Sequence, residues 1–510
     1  MKRKTLLYIF ILALSVYTLT SYGGIRCPDS EVVFRVAESI ADGNGFEVRD
    51  LEIWPGFGVA RGKDGKLYTS YPPFESILLA PFIKIAKPIN ETEWYKEATI
   101  PISHFAGKGI GAVFLGIPEA DFKPHALRFS VSFFNVVIGA LQVLLFWLIV
   151  FKIFQNETVA TALAAVFGFA TMAWHYSGTF MSEPLATLLV LLSFYSLVKV
   201  DRSFQQSSIS HKSLLISGLS LGLAVATHST ALAFAPFFGL YALYCCWQSR
   251  KSKELVAGVV VWSASLVLIL GLFGYYNYYR FGSFFQMGHS LTVYNQVNFA
   301  QPFSTAFWSS LYQLLFGYGK GLFLFSPVVI LGLVTWHRFH KFAPFLSILL
   351  MATVFARIIF ISCFEMWHAG FCLGPRYLLM IVPFLILPFG MWLKEQLEKQ
   401  RWQSLYVVAV GIWLCIVEQT YFAIGEIFFY YQMVKDNGVR VGVDLFKDDL
   451  IYIDKNLSPL FHLFEAPRAP YLLTFVPLSS EALLIIGALL WLAAVVVWMN
   501  RIRRKDLQLV

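Results

Sequence analysis

Two acidic residues, Asp29 and Glu31, lie directly after the first long apolar run of the sequence. Ionisable side chains next to such a run are costly unless a function uses them. A carboxylate in this position can act as a general base that removes a proton from an acceptor hydroxyl group. A structural explanation is also open, because aspartate caps the free N–H groups of a helix and glutamate in the first turn complements the helix dipole.

A second group of polar side chains lies in the stretch FEMWHAGFCLGPRYLLMIVP, residues 364–383. Its candidates are Glu365, Trp367, His368, Arg376 and Tyr377. The permanently charged guanidinium of Arg376 is suited to holding a phosphate and stabilising it as a leaving group. An arginine at a membrane boundary can instead extend towards lipid headgroups. The glycines and the proline that precede Arg376 favour a defined, tight backbone.

Further candidates are spread over segments that are far apart in the sequence. They are the cations Lys66, Arg128, Arg280 and Lys320, and the polar residues Tyr71, Glu183, His175, His228 and His289. The stretch 275–290, which holds Arg280 and His289, is rich in aromatic residues. For it, an ordinary aromatic belt at the membrane interface is an open alternative.

The elements that must position these residues are predicted to be membrane-spanning helices. The chain has 510 residues, of which 57% are hydrophobic and 14% charged, and its mean hydropathy is +0.63. Repeated apolar runs of about 20 residues indicate an all-α polytopic membrane protein. About twelve spans fit, near 5–22, 126–151, 157–174, 178–199, 213–227, 229–247, 255–275, 322–336, 343–361, 378–393, 403–421 and 478–499.

The basic residues predict the orientation of these spans. They gather in alternate loops, near positions 2–4, 202–212, 250–253, 338–341, 394–401 and 501–505. Loops rich in lysine and arginine face the cytoplasm, so both termini are expected there. The net charge of +9 therefore reflects topology, and no nucleic-acid partner is expected. The first span is expected to be uncleaved, since RCPDS is a poor signal-peptide cleavage site.

The first external segment, 23–125, is predicted to contain interfacial helices. Val33, Val36, Ala37 and Ile40 recur at helical spacing, which indicates an amphipathic helix on the membrane surface. The later stretch 71–86 is apolar but too short to span a membrane. We expect a transmembrane catalytic region at 1–400 and further helices at 401–510, with an external loop at 422–477. A disulfide between Cys363 and Cys372 and a pair of free thiols are both open.

Several motifs together resemble the GT-C glycosyltransferase superfamily. They are the acidic pair after the first span, the Tyr-Pro-Pro segment, HALRFSVSFF, MSEPLATLL, YRFGSFFQMGHS, GKGLFLFSP and WHAGFCLGPRY. The chain is most similar to the branch of protein O-mannosyltransferases and lipid A aminoarabinose transferases. That resemblance implies a GT-C-type helical bundle and transfer of a sugar from a polyprenyl-phosphate donor to a glycan, lipid or protein acceptor, at the outer face of the plasma membrane.

The resemblance also implies roles for individual residues. Asp29 occupies the place of the catalytic aspartate, and Arg376, Lys66, Arg128 and Arg280 are candidates for the donor phosphate. The substrate pocket is expected to include Tyr71, Glu183, His289, Trp367, His368 and Tyr377. Two departures from the family pattern are Tyr71, where the lipid A enzymes carry lysine, and Ala369, where relatives often carry glycine.

The residues leave other readings open. Asp29 and Glu31 together could hold a divalent metal ion, as a pair of this kind does in some GT-C enzymes; no other cofactor is expected. A transporter or flippase of a lipid-linked substrate and a non-catalytic assembly subunit of the envelope are the alternative functions. A transporter should carry polar groups near the bilayer midplane, whereas the polar residues of this sequence gather at the outer boundary.

Overall fold

The computed structural model describes residues 2–48, 58–94, 125–204, 210–248, 250–291, 306–445, 449–466, 468 and 471–507. In these residues the chain forms helices and one small antiparallel sheet. The all-α fold predicted from the sequence is therefore confirmed.

The N-terminal part contains three helices and two strands before the main bundle. They are α1 (Lys2–Leu19), α2 (Pro28–Ala41), β1 (Val59–Arg61), β2 (Leu67–Thr69) and α3 (Phe74–Asn90). The bundle follows as α4 (His125–Ser132), α5 (Phe134–Phe154), α6 (Glu157–Phe169), α7 (Ala173–Ser177), α8 (Ser182–Val198), α9 (His211–Val225), α10 (Ala235–Trp247) and α11 (Ser252–Phe281).

The described residues of the second half of the chain also form helices, several of which are short. It contains α12 (Phe307–Phe316), α13 (Leu322–Phe325), α14 (Val329–Phe342), α15 (Pro344–Ser362), α16 (Val382–Ile386), α17 (Phe389–Glu398), α18 (Trp402–Ile424), α19 (Ile427–Arg440), α20 (Leu450–Ile453), α21 (Pro459–His462), α22 (Tyr471–Thr474) and α23 (Ser480–Leu507). Short 3₁₀ helices lie at Ser229–Phe234, His289–Leu291, Arg376–Ile381, Lys455–Leu457 and Leu463–Glu465.

Within the described residues, seven helices are long and apolar enough to cross a membrane, and four shorter apolar helices accompany them. The predicted span near 322–336 differs most from the structure, because Ser326, Pro327 and Val328 separate α13 from α14. The chain is a multi-pass membrane protein. The count of twelve crossings stays a prediction.

The loops rich in basic residues come together at one end of the bundle. Arg338 forms an ion pair with Glu395, and Lys394 Nζ donates to the carbonyl group of Phe154 at 3.2 Å. The rings of Phe204 and Phe342 lie 6.2 Å apart in the same region. Loops that the charge pattern assigns to one side of the membrane are therefore neighbours in the fold.

The described residues of segment 23–125, which the sequence predicts to be external, pack at the opposite end of the bundle. The side chains of Val33 and Ala37 on α2 are buried, and Ser76 Oγ of α3 donates to the carbonyl group of Val33 at 2.9 Å. The other face of α3 carries exposed apolar residues such as Phe82 and Ile85, as an interfacial helix requires. The β1–β2 hairpin, which the sequence analysis did not predict, turns at Gly65 with φ +83°.

The C-terminal part contacts the same end of the bundle. Arg26 and Glu426 form a buried ion pair at 2.9 Å. Lys320 Nζ donates to the carbonyl groups of Gly370 and Cys372, each at 2.7 Å. Cys372 and Cys363 are free thiols, as are the other four cysteines. The Arg26–Glu426 pair joins the two sides of residue 400, and the division at that residue stays a prediction.

Candidate active site

A cavity of about 410 Å³ lies at the end of the bundle opposite the basic loops. Its walls come from the first turns of α2, α3 and α8, the 3₁₀ helix Ser229–Phe234, the segment around His289 and the start of the 3₁₀ helix Arg376–Ile381. Its volume falls within the range of about 300–1,000 Å³ that is usual for small-molecule sites. The charged and imidazole side chains in its wall are Asp29, Glu75, Glu183, His228, His289, Glu365 and Arg376.

Asp29 lies in the first turn of α2 with its carboxylate in the cavity wall. The N-cap residue of this helix is Cys27, whose side chain makes no capping hydrogen bond. The explanation that Asp29 caps the helix is therefore wrong, because Asp29 is the second residue of the helix. Its Oδ1 instead accepts a hydrogen bond from the hydroxyl group of Tyr71 at 2.7 Å. The side chain is 28% exposed, so the second oxygen can reach a ligand.

Arg376 lies between two carboxylates of the same cavity. Its Nε is 2.9 Å from Oε1 of Glu183, and one of its terminal nitrogens is 3.5 Å from Oδ2 of Asp29. Both the Arg376 and the Glu183 side chains are buried. Among the described residues that line the cavity, Arg376 is the single arginine or lysine.

Glu31 points away from the cavity into a buried ion-pair cluster. Its carboxylate accepts hydrogen bonds from Arg128 Nε at 2.9 Å and from Arg35 Nε at 2.8 Å. Burial alone would raise the pKa of Glu31, but the two guanidinium groups lower it to about 2. The sequence predicted that Glu31 takes part in catalysis directly, and its position gives no geometric support for that role. Arg128 is a partner of Glu31 and does not line the cavity.

This arrangement decides how well a metal ion fits the acidic pair. A cation between Asp29 and Glu31 would have to displace the guanidinium groups that already hold the Glu31 carboxylate. In the described part of the chain, no group of three or more His, Cys, Asp or Glu side chains is placed to hold a metal ion. The residues present do not fit a divalent cation at this pair.

Three predicted pocket residues line the cavity beside Asp29. The ring of Tyr71 makes an edge contact with His289 at 6.1 Å, and the ring of Tyr377 makes one with His228 at 5.5 Å. Burial lowers the pKa of His289 to about 4, so this imidazole is neutral at pH 7. The guanidinium carbon of Arg376 lies 5.3 Å from the centroid of the Tyr377 ring.

Six predicted site residues do not line the cavity: Glu31, Lys66, Arg128, Arg280, Trp367 and His368. Lys66 is exposed and pairs with Glu47 at 3.0 Å, and Arg280 is buried against Tyr276, where it donates to Oδ1 of Asn277 at 2.7 Å. These two residues and Arg128 are not brought together with Arg376.

His368 and Trp367 contact Asp449 instead of the cavity. Their nitrogens lie 3.7 Å and 3.2 Å from its carboxylate oxygens. The ring of His368 also stacks on Tyr452 at 4.2 Å. Both residues support the turn before Arg376.

Glu75 lines the cavity and was missed in the sequence analysis. It lies two residues after the Pro-Pro pair, where a glutamate in the first turn of a helix has an ordinary dipole explanation. The side chain is 2% exposed, and its Oε1 has no hydrogen-bond partner in the described structure. An acidic residue two positions after a pair of prolines, at the start of an apolar helix, was the available signal.

Residues 102–285 match a family model described as dolichyl-phosphate-mannose-protein mannosyltransferase. The match contains the segments HALRFSVSFF and MSEPLATLL. It confirms the resemblance to the GT-C branch of protein O-mannosyltransferases that the sequence motifs indicate. A comparison with curated proteins gave no match.

Among solved structures, the chain is similar to ArnT from Cupriavidus metallidurans bound to undecaprenyl phosphate, with 13% identity and a TM-score of 0.46. That alignment covers 97% of this chain and 77% of ArnT. The archaeal oligosaccharyltransferase AglB from Archaeoglobus fulgidus, in complex with an inhibitory peptide and a dolichol-phosphate, is 12% identical with a TM-score of 0.46. Here the alignment covers 90% of this chain and 60% of AglB. At such identities, the roles of individual residues rest on the geometry of the cavity.

Proposed function

We propose that this protein is a membrane glycosyltransferase that moves a sugar from a polyprenyl-phosphate donor to an acceptor hydroxyl group. The observation that carries the proposal is the meeting of Asp29 and Arg376 in the wall of one cavity. The fold brings the two residues to 3.5 Å although 347 positions separate them. The family match of residues 102–285 supports the same reaction class.

Asp29 acts as the general base. Its Oδ1 is held by the Tyr71 hydroxyl group, which fixes the carboxylate in the wall of the cavity. The carboxylate removes a proton from the acceptor hydroxyl as this oxygen forms a bond to C1 of the sugar. The bond between C1 and the phosphate oxygen breaks in the same displacement, so the anomeric configuration inverts.

Arg376 binds the donor phosphate. The departing polyprenyl phosphate gains negative charge as the bond to C1 breaks, and a fixed guanidinium stabilises that charge. The ion pair with Glu183 fixes the Nε side of the guanidinium. The terminal nitrogen that faces Asp29 at 3.5 Å lies next to the base and is the side that serves the phosphate.

The cavity opens at the extracytoplasmic face of the plasma membrane in this proposal, and both termini are cytoplasmic. The support is the separation of charges along the bundle, with the basic loops at one end and the cavity at the other. Single cysteines in place of Ser203 and Ser290, labelled from outside intact cells, test it. Labelling of Ser290→Cys but not Ser203→Cys is expected, and the reverse pattern contradicts the orientation.

The test of the enzyme uses purified protein in detergent, a panel of polyprenyl-phosphate sugars and a crude acceptor fraction from the envelope. The wild-type protein should transfer a sugar, and Asp29→Asn should reduce turnover by about 10²–10⁴-fold because it removes the proton acceptor. Asp42→Asn, at the other end of α2, is the matched control and should keep its turnover. NMR of the product should show inversion at C1.

Two outcomes would contradict this function. Translocation of the lipid-linked sugar across vesicles without any transfer would favour a transporter. Wild-type turnover in Asp29→Asn would place the catalytic base elsewhere.

A further inference from the structure

The first turn of α3 is fixed against the end of α9. The N–H group of Phe74 donates to the carbonyl group of Ala226 at 2.9 Å, and Ser76 is held by the carbonyl group of Val33. Glu75 stands between these two anchored residues, so its side chain has little freedom to leave the cavity wall. In the described structure it has no ion-pair partner, and its Oε1 has no hydrogen-bond partner.

A second acidic oxygen in the same wall is also without a partner. Arg376 and His228 both lie beside Oε1 of Glu183, at 2.9 Å and 3.6 Å. Oε2 of Glu183 is buried and has no hydrogen-bond partner in the described structure. Leaving a buried polar group unsatisfied costs about 1–3 kcal/mol, so two such oxygens in one cavity indicate a ligand that completes them.

The protonation states of Glu75 and Glu183 restrict which chemical groups can bind to them. Burial, and then the negative charge of Glu183, raise the pKa of Glu75 to about 8. At neutral pH, Glu75 is therefore an acid that donates one hydrogen bond and accepts others, whereas Glu183 only accepts. The pair offers a donor and an acceptor in the wall of one cavity.

Hydroxyl groups match this combination, because each donates one hydrogen bond and accepts others. A phosphate offers acceptors alone and would be repelled by the Glu183 carboxylate. An ammonium group could donate to Glu183 but could not accept from the Glu75 acid. A divalent cation would find no group of three acidic, histidine or cysteine ligands among the described residues.

We propose that Glu75 and Oε2 of Glu183 bind neighbouring hydroxyl groups of the transferred sugar and so select which sugar the cavity accepts. This inference rests on the proposed function, since it assigns the sugar to one part of the cavity and the phosphate to Arg376. Glu75 is a specificity-determining residue in this scheme and takes no part in bond making.

The experiment compares donor binding in Glu75→Leu, Glu75→Gln and the wild type. The probes are a short-chain polyprenyl phosphate without sugar and the same lipid carrying hexoses, pentoses and their deoxy analogues. Calorimetry in detergent gives each Kd. Glu91→Leu, an exposed glutamate just after the same helix, is the matched control and should bind all probes like the wild type.

We expect at least one sugar to bind the wild type more tightly than the bare lipid phosphate. Glu75→Leu should lose about 10-fold of that affinity, which corresponds to one buried hydrogen bond, and should no longer distinguish the deoxy analogue. Glu75→Gln keeps a donor, an acceptor and the size of the side chain, so it should stay within about threefold of the wild type. All variants should bind the bare lipid phosphate equally.

Three results would overturn the inference. They are an equal loss of affinity for bare and glycosylated lipid in Glu75→Leu, wild-type sugar selectivity in Glu75→Leu, and a wild type that binds no glycosylated probe more tightly than the bare one. A wild type that does not bind the bare polyprenyl phosphate would instead overturn the proposed function, and this inference with it. Thermal unfolding of each variant identifies any loss that comes from misfolding.

Discussion

The hydroxyl group of Tyr71 donates a 2.7 Å hydrogen bond to Oδ1 of Asp29, which joins the start of α2 to the Pro-Pro segment before α3. The lipid A aminoarabinose transferases, which this chain resembles, carry a lysine at the position of Tyr71. In this chain the group that donates to Asp29 is therefore a neutral hydroxyl group. Burial and the negative charge of Asp29 raise the pKa of Tyr71 far above its ordinary value, so the hydroxyl group keeps its proton.

Tyr71→Phe should lower kcat by about 10-fold to 100-fold and leave donor binding intact. The substitution removes a hydrogen bond to a charged group, worth about 1.5–3 kcal/mol, that positions the base and not the donor. Steady-state kinetics together with donor Kd measurements check this. Tyr276→Phe is the control, because the buried Tyr276 hydroxyl group has no hydrogen-bond partner in the described structure. An unchanged kcat in Tyr71→Phe would contradict a positioning role.

Arg376→Lys should weaken the binding of bare polyprenyl phosphate by about 10-fold or more. Lysine keeps the charge but cannot contact Glu183 and a phosphate with two sides of a planar group. Lysine is preferable to alanine, because removal of one partner of a buried pair costs about 3–5 kcal/mol of stability. Lys66→Ala should leave the affinity unchanged, since Lys66 lies outside the cavity. Equal affinity in Arg376→Lys and the wild type would remove the phosphate from this site.

The sequence predicted the class of fold, because this follows from hydropathy along the chain; the side of the membrane on which the site lies stays a prediction. The sequence also identified Asp29, Tyr71, Glu183, His289, Arg376 and Tyr377, which all line the cavity. It could not predict pairing between distant residues. From the sequence, Arg128 was a candidate to bind the donor phosphate. In the fold it contacts Glu31, which lies 97 positions away in the sequence.

Glu75 was missed for a related reason. A glutamate at the start of a helix is explained locally by the helix dipole. Its burial depends on α9 and on Glu183, which no local pattern around residue 75 reveals. Residues whose role comes from burial are therefore found in the structure, whereas residues whose role comes from a motif are found in the sequence.

Arg128→Leu should lower the free energy of unfolding by about 3–5 kcal/mol. The substitution leaves the carboxylate of Glu31 buried with Arg35 as its remaining arginine partner, and a buried charge that loses a partner is strongly destabilising. Thermal or denaturant unfolding in detergent measures the loss. The double variant Arg128→Leu with Glu31→Gln should regain part of the stability, because the buried carboxylate charge is removed together with its partner. A double variant that is less stable than Arg128→Leu would contradict this account.

Ala369→Gly should stabilise the protein by up to about 1 kcal/mol. Ala369 has φ +57° in the turn before Arg376, a conformation that costs an L-residue about 1–2 kcal/mol and costs glycine nothing. The greater freedom of glycine in the unfolded chain offsets part of this gain. The melting temperature should rise slightly, whereas Ala343→Gly, at φ −138°, should lower it. A lower melting temperature in Ala369→Gly would show that the turn is not strained.

The proton on Glu75 should make the stability of the protein depend on pH. Its pKa is raised from 4.5 to about 8 in the folded protein, so between these values the folded state holds a proton that the unfolded state releases. The free energy of unfolding of the wild type therefore falls as pH rises from about 5 to 8, by about 1.4 kcal/mol per pH unit for this one group.

Glu75→Gln removes this titration and should be more stable than the wild type by an amount that grows from pH 5 to pH 8. The other titratable or charged side chains that line the cavity are present in both proteins, so they contribute little to the difference in stability between them. They are Asp29, Glu183, His228, His289, Glu365 and Arg376. Melting temperatures of the two proteins at five or more pH values measure the trend. A difference that does not change with pH would mean that Glu75 is ionised in the folded protein, and that the carboxyl pair cannot donate a hydrogen bond to a sugar.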